Sequence, residues 1–251
     1  MDDNGKVGLL DSIKRLRGMT GKANLWDNAR FIFADVPVDA RRASRILPWG
    51  LKLAEPARAT LFIVDYTKTA FTIPYHEAAM LLHVRHPLGP GLHCPWMIVD
   101  DDTALIYGRE LLGYPKKMGT FEFEEDETRI SASLTRRGIR ILSMEGEKRG
   151  RQQNPAPAFD VKTYNVGGPG SLFAINPIWM FRPKEVIHES LEMDVKLKIE
   201  VSEFDPIVDI VAGDPISGRF VVMDIVSSRY NVMVGFSGIR HLASSYDMRF
   251  R

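Results

Sequence analysis

The sequence predicts a mainly β protein: a β-rich α+β fold whose strands form a closed or nearly closed antiparallel, barrel-like sheet with a few short flanking helices. Three observations carry that expectation. Short runs rich in β-branched and aromatic residues, bounded by Gly, Pro and Asp, recur along the chain. Helical periodicity is confined to brief segments. Many strands in one chain favour closure, because closure removes exposed edges. With 251 residues, 45% of them hydrophobic, the chain can bury a sizeable core without disulfide or metal staples.

Taken in order, Leu9, Leu10, Ile13 and Leu16 suggest a helix near the N-terminus. Asp39 caps a second, with Ala40, Ala43, Ile46 and Leu47 on one face before Pro48 stops it. Strands are expected over 60–65, 78–84, 97–99, 104–107 and 121–124. The clearest signal follows: Ile130, Ala132 and Leu134 alternate with Ser131, Ser133 and Thr135, then Arg137-Gly138 makes a turn into residues 139–142, giving a hairpin with one wet face. Residues 145–157, charged and containing proline, read as a long exposed loop. Further strands are expected over 195–201 and 220–226, and a third helix over 238–246. With no internal repeat or low-complexity tract, a single domain over 1–251 is the simpler organisation.

Charge and cysteine content narrow the function classes. Thirty-three Lys and Arg against 32 Asp and Glu give a net charge of +1, so no whole-molecule field draws in nucleic acid or an anionic membrane. The single cysteine, Cys94, forms no internal disulfide, which fits a reducing compartment. The first six residues lack the basic region and apolar core of a signal peptide, so a cytoplasmic location is expected. The longest uncharged stretch, 163–181, is interrupted by Gly167, Gly168, Pro169, Gly170, Asn176 and Pro177 and is rejected as a membrane span.

Several candidate sites have bland readings. His76, His83, His86 and His93 crowd one window, but their spacing matches no familiar zinc signature, and the polar face of a strand accounts for His83 and Arg85; no metal is expected. Asp100-Asp101-Asp102 reads as a solvated turn between two strands. Gly167-Gly168-Pro169-Gly170 is followed by the strand-like 171–175 rather than a helix, so it lacks the dipole of a phosphate loop. No serine-centred nucleophile elbow occurs, and Cys94, followed by Pro95 and Trp96, has no basic neighbour to lower its pKa.

The segment Gly108-Arg109-Glu110-Leu111-Leu112-Gly113-Tyr114-Pro115-Lys116-Lys117 differs in kind. Two adjacent lysines in an apolar run are unusual, since lysine is among the residues least often buried. One reading is a basic surface turn. The other is an amine nucleophile, which requires that desolvation or a nearby positive charge disfavour the ammonium form, and which then forms an imine with a ketone.

Gly108-Arg109-Glu110-Leu111 followed by Tyr114-Pro115-Lys116-Lys117 resembles the signature of the acetoacetate decarboxylase family. Asn28-Ala29-Arg30, Ile46-Leu47-Pro48, Tyr75-His76-Glu77, Val99-Asp100 and residues 222–228 fall in that family's order, so the resemblance spans nearly the whole chain. It implies an acetoacetate decarboxylase-like fold, a homo-oligomer, a lysine Schiff base and no cofactor. Lys116 would form the imine, and Lys117 is the second lysine, whose traditional role in the family is to depress its neighbour's pKa. On an extended segment Lys117 points away from Lys116, so apolar lining from Trp96 and Met97 is expected to activate Lys116 instead. Glu77 matches the family's proton-shuttling carboxylate. Arg30 would receive the substrate carboxylate, and Tyr114 falls in the substrate-contacting signature.

One departure stands out. Decarboxylases of the family carry a second glutamate about fifteen residues before Glu77; counting back reaches Phe62, and no glutamate lies between Glu55 and Glu77. An imine also serves pyruvate chemistry, because the iminium acidifies the methyl group for attack on an aldehyde. The resemblance implies decarboxylation of a small 3-keto acid, and the missing glutamate shifts the expectation toward an alternative. The alternative is an aldolase-dehydratase with an aldehyde co-substrate, for which Tyr246 is a candidate hydroxyl. A third reading is a non-catalytic barrel holding a small acid.

Overall fold

The computed structural model describes residues 24–159, 161–167, 176–226 and 231–251. The helix expected around Leu9–Leu16, the turn at Gly168–Gly170 and the strand at 171–175 lie outside them. Among the described residues fifteen strands join one sheet. They are β1 (Asn24–Pro37), β2 (Lys52–Leu53), β3 (Arg58–Tyr66), β4 (Lys68–Thr69), β5 (Tyr75–His86), β6 (Gly89–Val99), β7 (Lys116–Met118) and β8 (Thr120–Glu125). There follow β9 (Arg129–Arg136), β10 (Ile139–Arg151), β11 (Lys162–Val166), β12 (Asn176–Phe181), β13 (Lys184–Ile199), β14 (Ser217–Val226) and β15 (Asn231–Ser237). The main path runs β15-β12-β11-β6-β5-β3-β1-β14-β13-β10-β9-β8, with β2, β4 and β7 attached beside it. The mainly β expectation holds; closure does not, because among the described residues the ends β15 and β8 do not pair.

The centre of the sheet is buried on both faces, which explains why residues 59–64 read as a continuous apolar run rather than an alternating one. Period-two alternation sorts these side chains into two cores. Ile32, Leu61, Ile63, Met80, Trp96 and Ile98 pack on one face. Phe31, Phe33, Phe62, Val64, Leu81 and Met97 pack on the other, where the candidate site lies.

The hairpin between β9 and β10 has the expected two-residue turn, with Arg137 and Gly138 both at positive φ (52° and 79°), the signature of a turn whose twist matches its strands. Asp39 accepts from the backbone of Arg41 and Arg42, both at 2.9 Å, and caps α1 (Ala40–Arg45). The C-terminal helix is divided into α3 (Ile239–Ser244) and α4 (Tyr246–Arg249).

Two readings need correction. Residues 104–107, expected as a strand, belong to the helix α2 (Asp102–Leu112). Its ends explain why: Asp101 is buried and accepts from the Ala104 amide at 2.7 Å, and Gly113, at φ 73°, terminates the helix in the left-handed region. The acidic run is thus a helix cap, with Asp100 bound to His76 at 2.7 Å, rather than a solvated turn. The loop expected over 145–157 is strand as far as Arg151, because β10 continues along β13.

Asp205, fully buried beside the short 3-10 turn Pro206–Asp209, gathers three donors: Lys117 at 2.5 Å, Trp96 Nε1 at 2.9 Å and Arg136 at 2.7 Å. Removing it leaves two buried cations unpaired. Asp205→Ala is therefore expected to lower the unfolding free energy by ~3–5 kcal/mol, read from urea titration; a midpoint equal to that of the parent protein would contradict this account.

Candidate active site

The site is assembled by strand register. β7 runs parallel to β6 with Lys116 paired to Met97 and Lys117 to Ile98. Paired residues share a face, so Lys116 joins Met97 and the Phe62 core, while Lys117 joins Ile98 and Trp96 on the opposite face. The expected divergence of the two lysines is what the structure contains. Burial, only partly offset by Asp205, holds the Lys117 ammonium down to about 8.

Lys116 Nζ donates to Glu77 Oε2 at 2.6 Å, both side chains 6% exposed. The Lys116 nitrogen lies 5.6 Å from the centre of the Tyr75 ring, and Tyr66 lines the same cavity as Glu77. Burial, reinforced by the Glu77 charge, raises the Tyr66 and Tyr75 phenols well above their usual range. Tyr114 is pushed up to about 12 by burial. These phenols are therefore protonated, neutral groups around the amine. Cys94 is buried and its thiol is pushed up for the same reason, which removes it as a nucleophile.

The backbone of Lys116 is held from below. Arg109 donates to its carbonyl at 2.9 Å, and the Tyr114 amide bonds the Gly108 carbonyl at 3.0 Å. Gly108 is required by space rather than by torsion: a Cβ there would lie 2.4 Å from Lys116 Cε and 2.5 Å from Cδ. The signature thus reads physically as a helix whose glycine lets the lysine stem cross it and whose arginine fixes the lysine's backbone.

Lys116 and Glu77 open into a cavity of about 290 Å³ lined also by Phe62, Tyr66, Met97, Tyr114, Phe159 and one face of α2. Glu77 and Lys116 are the only acidic or basic side chains among its described lining. Three sequence-derived candidates lie elsewhere. Arg30 sits on the opposite face from Phe31 and Phe33 and pairs at 3.0 Å with Glu125, its side chain 46% exposed, so the geometry does not offer it to a carboxylate in the cavity. Trp96, one residue from Met97, faces Asp205. Tyr246 is exposed and packs at a tilt against Phe250, ring centres 5.6 Å apart.

Sequence reasoning missed Tyr66 and Gly108's steric role. Tyr66 follows Phe62 and Val64 at period two, a signal that places it on the cavity face. Asp205 gave no local signal. The four clustered histidines diverge to separate partners, His83 to Thr60 at 3.0 Å and His93 to the Tyr164 carbonyl at 2.8 Å. Among the described residues no group of His, Cys, Asp or Glu is arranged to hold a metal, and no helix is long and apolar enough to cross a membrane.

The architecture is the acetoacetate decarboxylase-like fold. The chain belongs to the acetoacetate decarboxylase family, whose profile, Acetoacetate decarboxylase (ADC), matches residues 17–234. Decarboxylase DEC1 of Cochliobolus heterostrophus is 30% identical over 104 residues, 41% of this chain and 40% of that protein. The acetoacetate decarboxylase of Burkholderia cenocepacia is 26% identical over 147 residues, 59% of this chain and 58% of its own length. Both matches thus cover less than two thirds of the relative. Among solved structures, acetoacetate decarboxylase from Legionella pneumophila superposes with a TM-score of 0.77 at 16% identity, covering 94% of this chain and 99% of that one. The enduracididine biosynthesis enzyme MppR complexed with pyruvate gives 0.72 at 15%, covering 85% and 91%.

Gly108→Ala tests the crossing of lysine and helix. The far end of the lysine can move aside, so folding is expected to survive with a near-parental melting temperature. The displaced amine is expected to lose about 10²-fold in its rate of reductive trapping by a keto acid. Parental trapping in that variant would show that Gly108 does not position Lys116.

Proposed function

We propose that the chain is a lyase that forms an imine between Lys116 and a small keto acid and expels carbon dioxide from a 3-keto acid. The observation that carries this reading is the 2.6 Å contact between Lys116 and Glu77 within an otherwise apolar cavity. Glu77 is the acceptor within reach of the ammonium proton, and transfer leaves a neutral amine beside a carboxylic acid. The amine adds to the ketone, the carbonyl oxygen leaves as water, and an iminium remains. The bond to the carboxylate then breaks, its electron pair flows to the iminium nitrogen, and carbon dioxide departs. Glu77, having returned its proton to the departing oxygen, takes up one from solvent and delivers it to the enamine carbon, and water hydrolyses the new iminium to ketone and free Lys116.

The lining supports decarboxylation on charge grounds. An iminium carboxylate separates opposite charges, whereas the enamine and carbon dioxide carry none, so a cavity with few polar partners disfavours the reactant more than the products. One observation favours the aldol reading: Phe62 stands where family decarboxylases carry a glutamate, and the neutral Tyr66 and Tyr114 hydroxyls are available to assist loss of water.

Cyanoborohydride trapping with acetoacetate and with pyruvate, mapped by peptide mass, is expected to modify Lys116, and acetoacetate to release carbon dioxide. Lys116→Ala is expected to abolish both, and Glu77→Gln to slow turnover by about 10²–10⁴-fold, the usual range for a general acid–base group. Full turnover in Lys116→Ala would overturn the mechanism. An unsaturated keto acid formed from pyruvate and an aldehyde, without carbon dioxide from 3-keto acids, would establish the aldol alternative.

A further inference from the structure

The cavity is longer and more apolar than a four-carbon acid requires. Lys116, Met97, Ala79 and Phe62 occupy one row across β7, β6, β5 and β3. Three strand spacings of ~4.8 Å separate the Cα atoms of Lys116 and Phe62 by roughly 14 Å. Lys116, Met97 and Phe62 all line the same cavity, so it extends along this row from the amine to an aromatic end. At that end Phe62 meets Phe159 edge to face at 5.6 Å, and Phe31 and Phe33 pack behind them. Leu81, 2% exposed, completes the apolar wall.

The aromatic end offers nothing to a charged or hydrogen-bonding substituent. Lys116 and Glu77, the acidic and basic side chains of the described lining, are committed to each other, away from the phenylalanines. A volume of about 290 Å³ accommodates roughly ten groups the size of a water molecule, at ~30 Å³ each. Acetoacetate fills only part of that space.

Resting on the imine reading, we infer that the substrate is a 3-keto acid whose far side carries an aliphatic tail a few carbons longer than the methyl group of acetoacetate. Lys116 takes the keto carbon, and the tail lies along Met97 against Phe62 and Phe159. Those two phenylalanines set the chain-length preference. Burial of each added methylene contributes favourably until the aromatic end is reached, and a charged tail loses its hydration without gaining a partner.

The test uses the stable ketone products, which form the same imine. Cyanoborohydride trapping on Lys116 is measured across acetone, 2-pentanone, 2-hexanone and 2-heptanone. The half-saturating concentration is expected to fall about fourfold per added methylene, the transfer value for a buried CH2. Phe159→Trp, which fills the aromatic end, is expected to weaken trapping of 2-heptanone far more than that of acetone, so that the gain per methylene is lost. Phe62→Leu, which widens it, is expected to move the optimum to a longer ketone. Trapping that is equally strong for acetone and 2-heptanone would overturn the tail assignment while leaving the imine standing. Absence of a Lys116 adduct with any member of the series would overturn both.

Discussion

The site depends on the register between β6 and β7. Because side chains alternate along an extended strand, pairing Lys116 with Met97 and Lys117 with Ile98 sends one amine into the apolar cavity and its neighbour to the far side. A slip of one residue would exchange them. The register is pinned by a side chain and by the backbone. Lys117 is held by Asp205, and the Gly119 amide bonds the Val99 carbonyl at 2.9 Å. Lys117 thus acts as an anchor that fixes where its neighbour points, an explanation for the paired lysines that needs no electrostatic contact between them.

Burying charge is costly, and the chain offsets the cost differently on the two faces. Asp205 gives Lys117 and Arg136 a shared, fully buried carboxylate with further hydrogen bonds, the arrangement under which buried ions persist. Lys116 has one carboxylate, one aromatic face and otherwise apolar surroundings. A single proton exchanged within the Lys116–Glu77 pair would remove both charges at once, which the Asp205 cluster cannot do. The proposed imine chemistry and the proposed apolar tail both rest on this poverty of polar groups in the described lining.

Much of this was legible in the sequence where local rules decide. The two-residue turn at Arg137-Gly138, the cap at Asp39 and the opposite orientation of Lys116 and Lys117 each follow from a handful of neighbouring residues. Residues 104–107 misled because Leu105, Ile106 and Tyr107 look strand-like, while the decisive capping contacts come from Asp101 and Gly113 just outside the window. Trp96 and Met97 could not both line one cavity from one strand, and alternation alone distinguishes them once either is placed. Arg30 failed by the same parity, since Ala29, Phe31 and Phe33 occupy the cavity face of β1. Asp205, far along the chain from Lys117, is joined to it only by tertiary packing.

The central claim is that desolvation on the cavity face, and not the charge of Lys117, sets the reactivity of Lys116. The most direct measurement is the pH dependence of Lys116 acylation by an amine-directed reagent, followed by peptide mass in the parent protein and in Lys117→Gln, with folding verified by circular dichroism. The account predicts the same midpoint in both proteins. A midpoint that rises by a unit or more in Lys117→Gln would contradict it.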